Sequence, residues 1–266
     1  MVPNARAAGK NAKKENGMKR LQDKVAIITG AGSGFGSGMA HRFAAEGAKV
    51  VLADVNLKRV EDELAEIDHS ALSVQADVSR KDDMERVARA AFETFGRIDI
   101  MVNNAGFTHR NMPLSEVSED SFDLVSAVNM KALFYSAQIV VPIMEHQRGG
   151  VIINTASATA LRPRKGLAWY CASKGFVVSA TKAMALELAE KNIRVNCLCP
   201  AESGGDGLHQ FLAEDTPEAR DALKATIPLG RFSTAGDVAE VAVWLASDAA
   251  AMVTGVAFGI DGGYTI

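Results

Sequence analysis

The chain has 266 residues, of which 48% are hydrophobic, 23% charged and 6% aromatic, with a formal net charge of −3. That apolar content excludes a disordered polyelectrolyte, which needs low hydrophobicity and high net charge. A chain this long also buries enough surface to fold without a disulfide or metal staple. Charge is unevenly placed: residues 1–20 carry Arg6, Lys10, Lys13, Lys14, Lys19 and Arg20 against Glu15 alone, so the rest is more acidic than the whole. Such a body offers no broad attraction to nucleic acid or anionic membrane.

The three cysteines, Cys171, Cys197 and Cys199, are an odd number with a Cys-x-Cys pair. They make a poor disulfide framework and fit small core residues in a reducing, cytoplasmic setting. The five scattered histidines complete no zinc set, so no metal is expected. There is no run of about 18 uninterrupted apolar residues, so no membrane span is expected, and the N-terminus lacks the apolar core of a secretory signal.

Residues 1–17 are polar, basic and aperiodic, which predicts a disordered leader ahead of one domain spanning 18–266. From Lys24 onward two textures alternate. Apolar or β-branched runs at 25–29, 49–53, 71–75, 98–102, 151–155, 193–198 and 256–260 predict strands buried on both faces. Between them, 36–46 and 81–95 place Met39 and Phe43, then Met84, Val87, Ala88, Ala91 and Phe95, at helical spacing. Helices are also expected over 121–147 and 169–191. The alternation predicts an α/β fold: a Rossmann-like doubly wound parallel sheet of about seven strands with helices on both faces.

The first strand runs into Gly30-Ala31-Gly32-Ser33-Gly34-Phe35-Gly36, followed by a helix. Glycines there let the chain turn sharply and let a pyrophosphate approach the helix N-terminus. The spacing G-x-x-x-G-x-G differs from the general dinucleotide fingerprint. The second strand ends at Asp54, 20 residues after Gly34. A carboxylate there accepts from ribose hydroxyls and repels a 2′-phosphate, favouring NAD over NADP, although Asp54 also suits a helix cap. Lys58 and Arg59 are expected on the following helix.

Tyr170 and Lys174 stand at i and i+4 near the start of the 169–191 helix and share a face. An ammonium beside a phenol favours the phenolate, so the pair suits general acid/base work; a solvated surface lysine is the plain rival.

Together, Thr29 to Gly36, Asn103-Asn104-Ala105-Gly106, Ser157 thirteen residues before Tyr170, and Tyr170-Cys171-Ala172-Ser173-Lys174 resemble the short-chain dehydrogenase/reductases. The resemblance covers 21–266, including Ile227 to Arg231 and Ile260 to Gly263. It implies Tyr170 as general acid/base, with Lys174 lowering its pKa and holding the nicotinamide ribose. Ser157 would bond the substrate oxygen, and Asn129 would hold a water relaying protons to Lys174. Gly30, Ser33, Gly34, Phe35 and Gly36 would hold the cofactor, with Asn103, Ala105 and Gly106 on the adenosine side and Asp77 and Val78 at adenine. A homotetramer is also implied. Each role has a bland rival: Ser157 capping its own loop, Asn129 bonding its own helix, and Asn103-Asn104 forming an ordinary turn.

After the sixth strand the sequence departs from that family. Pro200 is followed by Ala201-Glu202-Ser203-Gly204-Gly205-Asp206-Gly207, where the family usually has Pro-Gly and soon a threonine at the carboxamide. Pro200 and Ser203 are the remaining candidates for that contact. The glycines and carboxylates suggest a mobile lid spanning about 200–228. Within it, Leu208, Phe211 and Leu212 either face the pocket or pack the lid down. Trp169 and Leu167 are candidate apolar wall. Arg162, Arg164 and Lys165 either attract an anionic substrate or form a solvated loop. The expected activity is hydride transfer between NAD(H) and a secondary alcohol or ketone. An NADPH-dependent 3-oxoacyl thioester reductase and a non-catalytic NAD(H)-binding regulator are the alternatives.

Overall fold

The computed structural model describes residues 19–67 and 71–266; the predicted leader lies outside the described residues. Seven strands form one parallel sheet in the order β3-β2-β1-β4-β5-β6-β7. They are β1 (Val25–Thr29), β2 (Lys49–Asp54), β3 (Ala71–Gln75), β4 (Ile100–Asn103), β5 (Gly150–Thr155), β6 (Ile193–Pro200) and β7 (Ala257–Ile260). The helices are α1 (Gly34–Ala45), α2 (Leu57–Glu66), α3 (Lys81–Phe95), α4 (Glu119–Ser126), α5 (Ala132–His146), α6 (Ala168–Leu188), α7 (Pro217–Ala225) and α8 (Ala235–Ala246).

Period-two alternation along each strand sends neighbours to opposite faces, and both sets are apolar. Ile28, Leu52 and Val102 pack with Met39 and Phe43 of α1 and Val243 of α8 on one side. Ile27, Val51 and Met101 pack with Met84 and Val87 of α3 and Met144 of α5 on the other. Two cores, one per face, are why the strands read as continuous hydrophobic runs. The strand order reverses between β1 and its neighbours β2 and β4, which opens a crevice at their carboxyl ends where an α/β sheet takes its ligand.

Two elements differ from the sequence expectation. Regular strand geometry in the run at 98–102 begins only at Ile100, although Asp99 N already donates to Val25 O and the Asp99 carboxylate accepts from Val25 N, both at 2.9 Å. The helix expected over 121–147 is broken by a π turn, Ala127–Lys131, centred on Asn129. Such turns are rare and are common at functional sites. The helical stretch Glu119–His146 is long and apolar enough, by length and composition, to cross a membrane. In the fold its stripe of Leu133, Ser136, Val140 and Met144 is buried instead, the pattern of an amphipathic helix laid on a sheet.

Candidate active site

β1 delivers the chain into a glycine loop whose geometry admits little else. Gly30 has φ +64°, and Gly34 has φ +57° with open space where a Cβ would stand. A Cβ on Gly36 would lie 2.0 Å from Gly30 O and 2.6 Å from Asn104 Nδ2. Gly36→Ala is therefore expected to cost about 3 kcal/mol or more, an overpacking that has nowhere to relax. A lowered urea midpoint checks this; an unchanged one contradicts the close approach. Ser33 is the N-cap of α1 but makes no capping bond, so the helix leaves its first amides for a ligand.

Asp54 reaches this loop from β2. Its Oδ2 accepts from Gly32 N at 3.1 Å, and its Oδ1 from Asn56 N at 2.9 Å. The helix-capping role belongs instead to Asn56, whose side chain accepts from Arg59 N. Arg59 lies on α2 as expected, but a Cβ on Gly32 would stand only 2.8 Å from its Cβ. Gly32 thus belongs to the loop for a reason the glycine pattern alone does not reveal. Amides without a side-chain cap, glycines with no room for a Cβ, and a carboxylate at the end of β2 suit a dinucleotide's pyrophosphate and ribose.

Beyond β4, the Asn103-Asn104 pair is more than a turn. Asn104 Nδ2 donates to Thr29 O at 2.9 Å, and Thr29 Oγ1 accepts from Asn104 N and Ala105 N. Asn103 donates to Asn154 Oδ1. These bonds hold Ala105 and Gly106 against β1 and β5. Across β2, the Asp77 side chain closes the turn after β3 by accepting from Ser79 N and Oγ. Val78 is buried behind it.

The second group of candidates converges at the ends of β4 and β5. Ser157 is the N-cap of a 3₁₀ turn, Ala158–Ala160, and its Oγ accepts from Thr159 N and Oγ1 at 3.2 and 2.9 Å. The capping role is real, and it also aims the hydroxyl: with its acceptor capacity taken, Ser157 has its own proton to give. Tyr170, on the first turn of α6, lies beside Ser157. Burial pushes the phenol well above its ordinary value, the Ser157 hydroxyl opposes this, and the Glu202 charge adds to the rise.

Lys174, one turn on, is 4% exposed. Its Nζ donates to Thr155 O at 2.8 Å and lies 5.9 Å from the Tyr170 ring centroid. Burial lowers its pKa to about 8. The solvated-lysine reading therefore does not describe it. Gly106 lies close beside it: a Cβ there would stand 3.2 Å from Nζ and press on the ammonium.

Asn129 is also buried. Its amide donates to Phe107 O and Ser173 Oγ, and its Oδ1 accepts from Phe107 N. The side chain thus ties the π turn to the loop after β4 and to α6. A cavity of about 20 Å³ bordered by Asn129, Thr155 and Lys174 lies beside it, which is room for one water.

The lid candidates divide. Leu208 and Leu212 pack with Leu223 of α7, so they pin their segment to that helix. Phe211 packs with Leu167, Tyr170 and Cys171, its ring 5.5 Å from the Tyr170 ring in an edge-on contact. Trp169 instead faces outward, 37% exposed, against Phe122. Pro200 ends β6, and Ser203 forms an isolated parallel bridge with Ser233 at the lid's start. All three cysteines are buried and free.

A family model described as "Enoyl-(Acyl carrier protein) reductase" matches residues 30–265. The chain belongs to the short-chain dehydrogenase/reductase family. This dehydrogenase/reductase is an oxidoreductase acting on CH–OH and C=O groups. It is 42% identical over 250 residues to the 4-formylbenzenesulfonate dehydrogenase of Comamonas testosteroni, covering 92% of this chain and 99% of that one. It is 36% identical over 252 residues to the galactitol 2-dehydrogenase of Agrobacterium fabrum, covering 92% and 98%. The solved 3-ketoacyl-(acyl-carrier-protein) reductase of Brucella melitensis, complexed with NADH, superposes with a TM-score of 0.88 at 42% identity, covering 92% of this chain and all of that one.

Proposed function

We propose that this dehydrogenase/reductase moves hydride between NAD(H) and a secondary alcohol or its ketone, with Tyr170 as the general acid/base. The observation that carries the reading is the convergence of Tyr170, Ser157 and Lys174 in one buried cluster at the carboxyl end of the sheet, next to the glycine loop. A bound nicotinamide supplies the hydride exchange; the chain supplies position and proton movement.

For ketone reduction, Ser157 Oγ–H and Tyr170 Oη–H both donate to the carbonyl oxygen, stabilising the charge that grows there. Tyr170 then gives up its proton, and Lys174 Nζ stabilises the phenolate left behind. Oxidation reverses this: the phenolate takes the hydroxyl proton. The water-sized cavity beside Asn129 and Lys174 supports a proton path from the buried lysine outward, with Asn129 holding its walls in register.

Gly30, Ser33, Gly34, Phe35 and Gly36 would cradle the pyrophosphate. Asp54 would bond the adenosine ribose, with Asp77 and Val78 at adenine, Asn103 and Ala105 on the adenosine side, and Gly106, which lies beside Lys174, toward the nicotinamide ribose. Pro200 and Ser203 would line the nicotinamide. NAD is preferred because the Asp54 charge opposes a 2′-phosphate. Asp54→Asn keeps an acceptor for the loop but drops the charge. It should weaken NADH by about tenfold and bring NADPH close to parity, measured by fluorescence titration. Equal affinity of the unmutated protein for NADH and NADPH would sink the ribose assignment.

The Brucella melitensis structure favours one rival substrate, a 3-oxoacyl thioester, and because that enzyme is complexed with NADH, Asp54 speaks only against an NADPH-dependent form of the rival. Residues 18–266 are read as one catalytic domain with a lid over about 200–228. The assembly is read as a homotetramer, since Phe122, Phe134, Trp169 and Phe176 leave an apolar face on α4, α5 and α6. Buried free thiols support a reducing cytoplasm. The acidic body supports a small-molecule substrate rather than nucleic acid or membrane as the partner.

A further inference from the structure

The loop between Ser157 and Tyr170 carries Arg162, Arg164 and Lys165 with no acid, and the facing loop after β4 adds Arg110. In a chain with net negative charge, this is a local basic rim at the substrate side of the site. Arg162 is exposed but tied down, and Arg164 is largely withdrawn from solvent. Arg162 lies 4.9 Å over the Tyr264 ring and donates to Tyr264 O. The Arg164 side chain is 18% exposed, and its Nη1 donates to Glu202 Oε1 at 2.7 Å; the Glu202 side chain is 4% exposed.

Arg164 is linked to Tyr170 through one residue, Phe211. Its Nη2 lies 3.5 Å from Phe211 O, and the Phe211 ring packs on Tyr170. Asn111 fixes the same corner by donating to Lys165 O and Phe211 O. Glu202 is close enough for its charge to act on the Tyr170 phenol. The guanidinium is a fork of five N–H donors suited to a bidentate anion, yet Glu202 takes only one of them at short range.

We propose that Arg164 recognises an anionic group on the substrate, a carboxylate or sulfonate held away from the reacting carbon, and that Glu202 is the intrachain carboxylate which occupies it until substrate arrives. The inference rests on the reading of Tyr170 and Ser157 as the reacting centre. Displacing Glu202 exchanges one carboxylate–guanidinium contact for another at Arg164, and because the Glu202 side chain is itself only 4% exposed, the exchange requires the segment after β6 to carry that carboxylate toward water. The Glu202–Arg164 bridge also joins the lid's first residues to the catalytic loop, so substrate charge and lid position are linked.

The test uses benzoate and benzamide, matched in shape and different in charge, titrated calorimetrically with and without NADH. NADH binding is measured separately, so a failed cofactor reading shows itself apart from a failed anion site. Benzoate is expected to bind at least about tenfold tighter than benzamide, the worth of one charge-assisted hydrogen bond. The preference should widen in Glu202→Gln, which removes the internal competitor, and vanish in Arg164→Met. Arg164→Lys, which keeps the charge without the fork, should retain part of it. Equal binding of the two probes in both the unmutated protein and Glu202→Gln overturns the proposal. So does a benzoate preference that survives Arg164→Met.

Discussion

Tyr170→Phe is expected to lower kcat/KM by about 10²–10⁴-fold, the range attributed to a positioned acid/base, while NADH binding stays within about twofold. The substitution removes one oxygen from a buried ring. Its edge contact with Phe211 and its packing with Leu167 are kept, so the lid retains its seat. What is lost is the Oη that lies beside the Ser157 hydroxyl and that the buried Lys174 is proposed to serve. Steady-state kinetics beside an NADH titration separate the two effects. Full turnover in the variant would remove Tyr170 from the chemistry.

Lys174→Met should abolish turnover and make the protein more stable at neutral pH. Burial brings the Lys174 pKa from its ordinary value of 10.5 to about 8. A Lys pKa lowered on folding means that below pH 8 the fold carries a proton it holds less well than the unfolded chain does. The cost is roughly 3 kcal/mol at pH 7. Methionine fills similar volume without charge. Leaving Thr155 O without its donor offsets about 1–2 kcal/mol, so a net gain of about 1–2 kcal/mol remains, a few degrees in Tm.

The pH dependence has a definite sign. Between about 8 and 10.5 the unfolded state binds more protons than the folded one, so this contribution to wild-type stability rises with pH. Thermal melts across that window should show the rise in the wild type and its absence in Lys174→Met. A variant less stable at pH 7, with an unchanged pH slope, would mean the lysine is a structural tie rather than a strained functional cation.

The sheet was legible because its two faces are both covered: alternate residues of β1, β2 and β4 enter two separate cores, which writes each strand as an unbroken apolar run. Tyr170 and Lys174 were legible because helix geometry fixes their common face. The partners that explain them were not, because they are long-range and often backbone: Thr155 O for Lys174, Phe107 N and O for Asn129, Gly30 O for Gly36. No residue type at those positions announces a carbonyl aimed at a distant side chain. The π turn at Asn129 likewise leaves no period in the sequence, since its cause is the tie to Phe107. In the lid, the pattern offered three apolar residues and no rule for dividing them. The fold sent Phe211 to Tyr170 and Leu208 and Leu212 to α7. Glu202 stood out only as one of two carboxylates in a glycine-rich loop; its partner Arg164, 38 residues earlier, had no sequence signal to join them.

The most direct measurement follows the near-ultraviolet absorbance of NADH as the enzyme meets a panel of secondary alcohols. The panel includes polyols, steroids, 3-hydroxyacyl esters and aryl alcohols carrying a carboxylate, with NAD and NADP run side by side and Tyr170→Phe as the blank. The account predicts turnover with NAD, weaker turnover with NADP, and loss of both in the variant. NADH that binds while no alcohol is oxidised and no corresponding ketone is reduced would contradict it, and would leave a nucleotide-binding protein whose buried tyrosine and lysine serve another purpose.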